Sequence, residues 1–122
     1  MIGKRKVVLV GTGFVGMSMA YAILSQGNAS GVNELVLIDV LKDKAIGEAM
    51  DLCHGLPCSS SHMKIKAGDY DECSDADIVV ITAGLNQKPG QTRLELSEAN
   101  AKIMKDITIQ VVNSGSVSYT HL

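Results

Sequence analysis

The chain has 122 residues, about one ordinary domain, and 46% of them are hydrophobic, enough for a globular core. With one Phe, three Tyr and no Trp against six Met, that core is aliphatic and methionine-rich. A formal net charge of −2 excludes the basic footprint of a nucleic-acid binder, and no membrane partner is expected. Cys53, Cys58 and Cys73 are odd in number and lack a C-x-x-C spacing, so free thiols in a reducing cytosol fit better than a disulfide framework or a zinc site. The expected location is cytoplasmic. No repeat, low-complexity tract or inter-domain linker interrupts the chain.

Residues 7–16 read VVLVGTGFVG. An apolar run passes directly into Gly11, Thr12, Gly13, Phe14, Val15 and Gly16, and an apolar segment continues to Leu24. The order is strand, glycine turn, helix, which a dinucleotide pyrophosphate requires. Gly11 permits the tight turn, Gly13 lets a phosphate approach the backbone, and Gly16 lets the helix pack close to its strand. The free N–H groups of the first helical turn then face the phosphates. A lone G-x-G-x-x-G is weak, but an acidic residue belongs about 20 residues later, at the end of the second strand. Residues 34–38 (ELVLI) form that strand and Asp39 follows it. Its carboxylate can accept from the ribose hydroxyls and repels a 2′-phosphate, which favours NAD over NADP. Lys4, Arg5 and Lys6 ahead of an uncharged run also suggest an export signal. The three glycines make a poor apolar core for one, and the Asp39 spacing would then be coincidence.

The first helix is expected over residues 14–26, ended by the turn cluster at 27–31. The unbroken apolar second strand suits a parallel strand covered on both faces. Residues 42–54 follow as an amphipathic helix with Ile46, Ala49, Met50 and Cys53 on its buried face. His54 near its end reads as a dipole or packing residue, and His62 has no partner at metal-ligand spacing, so no metal is expected. Residues 63–67 read as a third strand, 68–76 as a polar connection around Tyr70, and 77–82 (DIVVIT) as a fourth strand. A loop over 83–91 leads to a long helix over 92–113, with Leu96, Ile103, Ile107 and Val111 as its core stripe. Strands alternating with helices give an α/β fold: a Rossmann-type, doubly wound parallel sheet with its first four strands. The fourth strand belongs beside the first, across the switch point where the ligand sits.

With these segments in view, the chain resembles the L-lactate/malate dehydrogenase family, and its loop is most similar to that of bacterial lactate-type members. The resemblance runs from about Lys6 to Gly115. It is carried by the glycine motif, Asp39, DLCHG at 51–55, Thr82-Ala83-Gly84 and NQKPGQTR at 86–93. It implies that Gly11, Gly13, Phe14, Val15 and Gly16 hold the pyrophosphate of NAD. Asp39 would bind the adenosine ribose, with Lys44 and Tyr70 bordering the adenosine half. Thr82, Ala83, Gly84 and Leu85 would lie against the nicotinamide side. Gln87 matches the residue that selects the 2-oxo acid, and Arg93 the loop arginine that polarises the substrate carbonyl.

These roles make chemical sense. Hydride transfer to a ketone builds charge on its oxygen, and a guanidinium brought up by a closing loop stabilises that oxyanion. A neutral Gln87 accommodates the methyl of pyruvate, whereas malate-type members carry arginine there. Malate-type or branched-chain 2-hydroxyacid activity, or a nucleotide-binding module without catalysis, are the competing readings. The family's proton-transferring histidine, its orienting aspartate and its carboxylate-gripping arginine belong to a later catalytic domain and match nothing here. The expected organisation is an NAD-binding domain over 1–115 and a non-matching tail over 116–122, without dehydrogenase turnover of its own. DIVVIT is then a long apolar edge. The resemblance further implies that a full-length form is a homotetramer.

Overall fold

The computed structural model describes residues 5–115 and 120–121. Its centre is β1 (Lys6–Val10), every residue of which is buried. β1 pairs in parallel with β2 (Glu34–Ile38) on one side and β4 (Ile78–Ile81) on the other, and β2 pairs in parallel with β3 (Lys64–Ala67). Successive side chains of a strand point to opposite faces, so the apolar runs of β1 and β2 feed two cores at once. Val7, Leu9, Leu35 and Leu37 face α1 (Phe14–Ser25) and α2 (Lys42–Gly55), meeting Ala20, Leu24, Ala45, Ala49 and Leu52. Val8, Val10, Val36, Ile38, Val79 and Ile81 face α3 (Arg93–Asn113) and a 3-10 turn over Tyr70–Asp75, meeting Cys73, Ile107 and Val111. Helices on both faces of a parallel sheet are the doubly wound arrangement that the alternating pattern predicts.

Two expectations change. The buried face of α2 is Ala45, Ala49 and Leu52, while Ile46 and Met50 remain 48% and 54% exposed. The stripe is rotated from the predicted one because α2 packs closely on the sheet, where alanine methyls fit better than longer side chains. Nor is β4 an edge. A two-residue strand, β5 (Thr120–His121), pairs with it in parallel, Val79 opposite Thr120 and Val80 opposite His121, giving the order β3-β2-β1-β4-β5. A central parallel strand presents unpaired N–H and C=O groups on each side, and any extended segment that reaches it satisfies them whatever its side chains. The other positions of the predicted tail, 116–119 and 122, lie outside the described residues.

The start of the sheet carries an ion cluster. Lys6 is a buried strand residue whose Nζ donates to Glu72 Oε2 at 2.7 Å and to Asp75 Oδ1 at 2.5 Å, while Lys66 bridges Glu72 and Glu34. Lys6, one of the residues that read as the basic start of an export signal, is thus the anchored first residue of β1. Burial pulls the Lys6 ammonium pKa down, but its bonds to Asp75 and Glu72 outweigh this and raise it above the usual 10.5. The Glu72 carboxyl is held below 4.5, first by Lys6 and then by Lys66. Lys6 likewise holds Asp75 below 3.8. A carboxylate with a lowered folded pKa contributes stability above its ordinary pKa and loses it as pH falls through the folded value. A raised lysine does the reverse at the alkaline end. The urea midpoint is therefore expected to fall as pH drops below about 4.5, with a shallower acid slope in Lys6→Met. Equal slopes in the two proteins would show that the cluster contributes nothing to acid stability.

Candidate cofactor and substrate site

β1 and β4 lie side by side, and the connections leaving their carboxyl ends diverge around a crevice. Val10 stands opposite Ile38 and Ile81 in the register, so three strand ends meet at one level. Gly11 turns the chain with φ +104°, and its N–H donates to Ile38 O at 2.8 Å. A Cβ at Gly11 would lie 2.6 Å from the Ala83 backbone nitrogen, and one at Gly16 would lie 2.1 Å from Gly11 O. Both glycines are therefore required by close backbone approach. Gly13 differs: a Cβ there meets nothing within 4 Å. The space beside it is open, at the N-cap of a helix with no side-chain cap and no acidic residue in its first turn. Such a turn leaves N–H donors for an anion.

A cavity of about 560 Å³ occupies this crevice. Its lining includes Gly11, Gly13, Asp39, Lys44, Tyr70, Thr82, Ala83, Gly84 and Leu85, nine of the positions assigned to the cofactor. Phe14, Val15 and Gly16 are not among its lining residues. The Phe14 and Val15 side chains are 93% and 72% exposed, so their part in phosphate binding would fall to backbone N–H groups. Sequence reading missed the opposite wall, where α3 contributes Ile103, Asp106, Ile107 and Gln110. It also missed Val40 and Leu41 at the Asp39 end. Helical periodicity marked Ile103 and Ile107 as core without distinguishing a core position from a cleft wall.

Asp39 is held from three directions. Its Oδ2 accepts from the Thr12 N–H at 2.9 Å and the Thr12 hydroxyl at 2.7 Å, and its Oδ1 accepts from the Leu41 N–H at 2.9 Å. Lys44 Nζ donates to Thr12 O nearby. Burial raises the Asp39 pKa, but the Leu41 and Thr12 amides, the Thr12 hydroxyl and the Lys44 charge together bring it below its usual 3.8. The group is an anion at neutral pH. Tyr70 stands half-buried across from it, its phenol pKa raised by burial and then by Cys73 and Asp39.

Gln87 and Arg93 lie elsewhere. Both line a more open depression of about 680 Å³, with Leu96, Ser97, Asn100, Ala101 and Met104 of α3. Asn100 connects the two regions, since its Oδ1 accepts from the Leu85 N–H at 2.7 Å. Arg93 is the first residue of α3, behind a capping box in which Thr92 and Glu95 satisfy each other's backbone N–H groups. The helix dipole disfavours a cation at that end. Among the described residues, Arg93 enters no salt bridge. Gln87 Nε2 donates to Gln91 O at 2.8 Å, which folds the loop on itself.

The model of the lactate/malate dehydrogenase NAD binding domain matches residues 5–121. The chain belongs to the lactate/malate dehydrogenase family. It carries that family's NAD-binding domain, and the match extends past Gly115, where the motif resemblance stops. An L-lactate dehydrogenase of Lactococcus lactis is 58% identical over 114 residues, 93% of this chain and 35% of the relative. One from Borrelia turicatae is 56% identical over 115 residues, 94% of this chain and 36% of the relative. The chain thus spans about a third of the length of these curated relatives. Among solved structures, the minor L-lactate dehydrogenase of Enterococcus mundtii with bound ligands superposes with a TM-score of 0.90 at 52% identity, covering 96% of this chain and 36% of that one. A malate dehydrogenase of Archaeoglobus fulgidus in complex with NADH gives 0.86 at 40% identity, covering 95% and 39%. The dehydrogenase domain has no described helix long and apolar enough to cross a membrane.

Proposed function

We propose that this domain belongs to an NAD-dependent L-lactate dehydrogenase that interconverts pyruvate and L-lactate. The observation that carries the reading is the pairing of Gln87 with Arg93 in one depression, linked through Asn100 and Leu85 to the cofactor cleft. When bound, NADH supplies the hydride. Gly13 leaves room for the pyrophosphate beside the open first turn of α1, and Asp39 offers the ribose an anionic acceptor. Arg93 is the catalytic cation that stabilises charge on the substrate carbonyl oxygen. Gln87 meets the substrate's third carbon without demanding a second carboxylate. We assign Lys44 and Tyr70 to the adenosine side and Thr82, Ala83, Gly84 and Leu85 to the nicotinamide side. The proposal includes a cytoplasmic, homotetrameric enzyme at the fermentative end of glycolysis.

The test is NADH oxidation by the complete protein with pyruvate, oxaloacetate and branched 2-oxo acids. Pyruvate is expected to give the highest kcat/KM, and a preference for oxaloacetate would overturn the reading. Residues 1–122 alone are expected to show no turnover. His54 and His62 are exposed and line neither cavity, so neither of them stands where a carbonyl proton is needed. Pyruvate-dependent turnover by a soluble preparation of residues 1–122 would refute this.

The cofactor assignment has its own test. Asp39→Ser in the complete protein removes an acceptor whose hydrogen bonds are charge-assisted, worth about 1.5–3 kcal/mol, so NADH affinity should fall tens-fold. NADPH should lose less, because the repulsion of its 2′-phosphate also disappears. Calorimetry that finds NADH affinity unchanged would remove Asp39 from the site.

A further inference from the structure

The glycine pattern leaves its second position free, and here that position is Thr12. Its side chain is 1% exposed, among the most buried polar groups described. We propose that Thr12 is a positioning residue for the cofactor site: its hydroxyl fixes the orientation of Asp39 and so sets the preference for a dinucleotide with a free ribose 2′-hydroxyl over a 2′-phosphorylated one. The inference rests on the reading that Asp39 faces the ribose.

The argument is a count of acceptor positions. A carboxylate offers about four, two on each oxygen. The Thr12 amide and hydroxyl take both on Oδ2, and the Leu41 amide takes one on Oδ1. Oδ1 therefore keeps the position left for the cofactor. The terminal torsion of an aspartate is otherwise broad, so a free carboxylate would spread over many orientations. Three donors hold it in one, and the ordering cost is met before the ribose arrives. Lys44, donating to Thr12 O, fastens the same turn from the α2 side. An amide alone at position 12 would leave Oδ2 half-satisfied and the carboxylate freer to turn. A hydroxyl at this buried point thus acts on the cofactor through Asp39 without touching it.

The experiment compares Thr12→Val, which keeps the shape and removes the hydroxyl, with Thr12→Ser, which keeps the hydroxyl, in the complete protein. NADH and NADPH are titrated separately by their own fluorescence. Thr12→Val is expected to raise the Kd for NADH about ten-fold while NADPH changes by no more than about three-fold, so discrimination narrows. Thr12→Ser is expected to stay within about two-fold of the parent for both. A purely structural role would weaken both dinucleotides alike. Thr12→Val with the parental NADH Kd would overturn the proposal, as would equal losses in the valine and serine variants. Should the valine variant not fold, Thr12→Ala gives the same comparison of the two dinucleotides. Failure of the parent protein to bind NADH would instead refute the reading of Asp39.

Discussion

Replacing Arg93 by glutamine in the complete protein is expected to lower kcat for pyruvate reduction by about 10²–10³-fold, the usual effect of losing one donor to a developing oxyanion. The NADH Kd should stay near the parental value, because Arg93 does not line the cofactor cleft. The structure gives a physical reason for the expectation beyond the resemblance. Arg93 sits at the positive end of a 21-residue helix, where a cation is disfavoured, and no described acid pairs with it. Departures from local rules concentrate at functional sites, which agrees with the role proposed for Arg93. Folding is expected to be retained, since Thr92 and Glu95 cap α3 without help from Arg93. Single-turnover measurement of NADH oxidation separates this loss from any change in product release. A loss below about ten-fold would show that another group stabilises the carbonyl oxygen.

The second large effect is a change of substrate. Gln87→Arg is expected to raise the ratio of kcat/KM for oxaloacetate over pyruvate by about 10³-fold or more, because two terms act in the same direction. Oxaloacetate gains a partner for its second carboxylate, while pyruvate leaves a desolvated guanidinium unpaired. The change also removes the Gln87 bond to Gln91 O, so part of any loss with pyruvate comes from the loop itself. Gln87→Met separates the two contributions: it breaks the loop bond without adding charge and should weaken both substrates without favouring oxaloacetate. A ratio that stays constant in Gln87→Arg would show that position 87 does not meet the substrate.

The amino-acid sequence was sufficient for β1 to β4, for the three α-helices and for the local geometry around Gly11, Gly16 and Asp39. β1, the glycine turn and Asp39 are local features. Unbroken valine and leucine runs demand burial on both faces, Gly11 and Gly16 answer to backbone approaches within one strand–turn–helix unit, and Asp39 follows its strand directly. The expected start of α3 near Thr92 coincides with a capping box closed between Thr92 and Glu95, a local signal that the reading of the chain did not use.

What only the tertiary structure decided are matters of which surface meets which. α2 carries apolar residues on adjoining faces, and periodicity could not tell that Ala45, Ala49 and Leu52 face the sheet while Ile46 and Met50 face outward. The partner of β4 was equally hidden, because strand pairing is made by backbone groups that every residue possesses. The hold of Thr12 on Asp39 spans 27 residues, and the bond from Leu85 to Asn100 spans 15. Neither is a pattern along the chain. The division of the proposed site into a cofactor cleft and a separate Gln87–Arg93 depression has the same origin. Residue type announces what a side chain can do, while the packing of α3 against the sheet decides which side chains do it together.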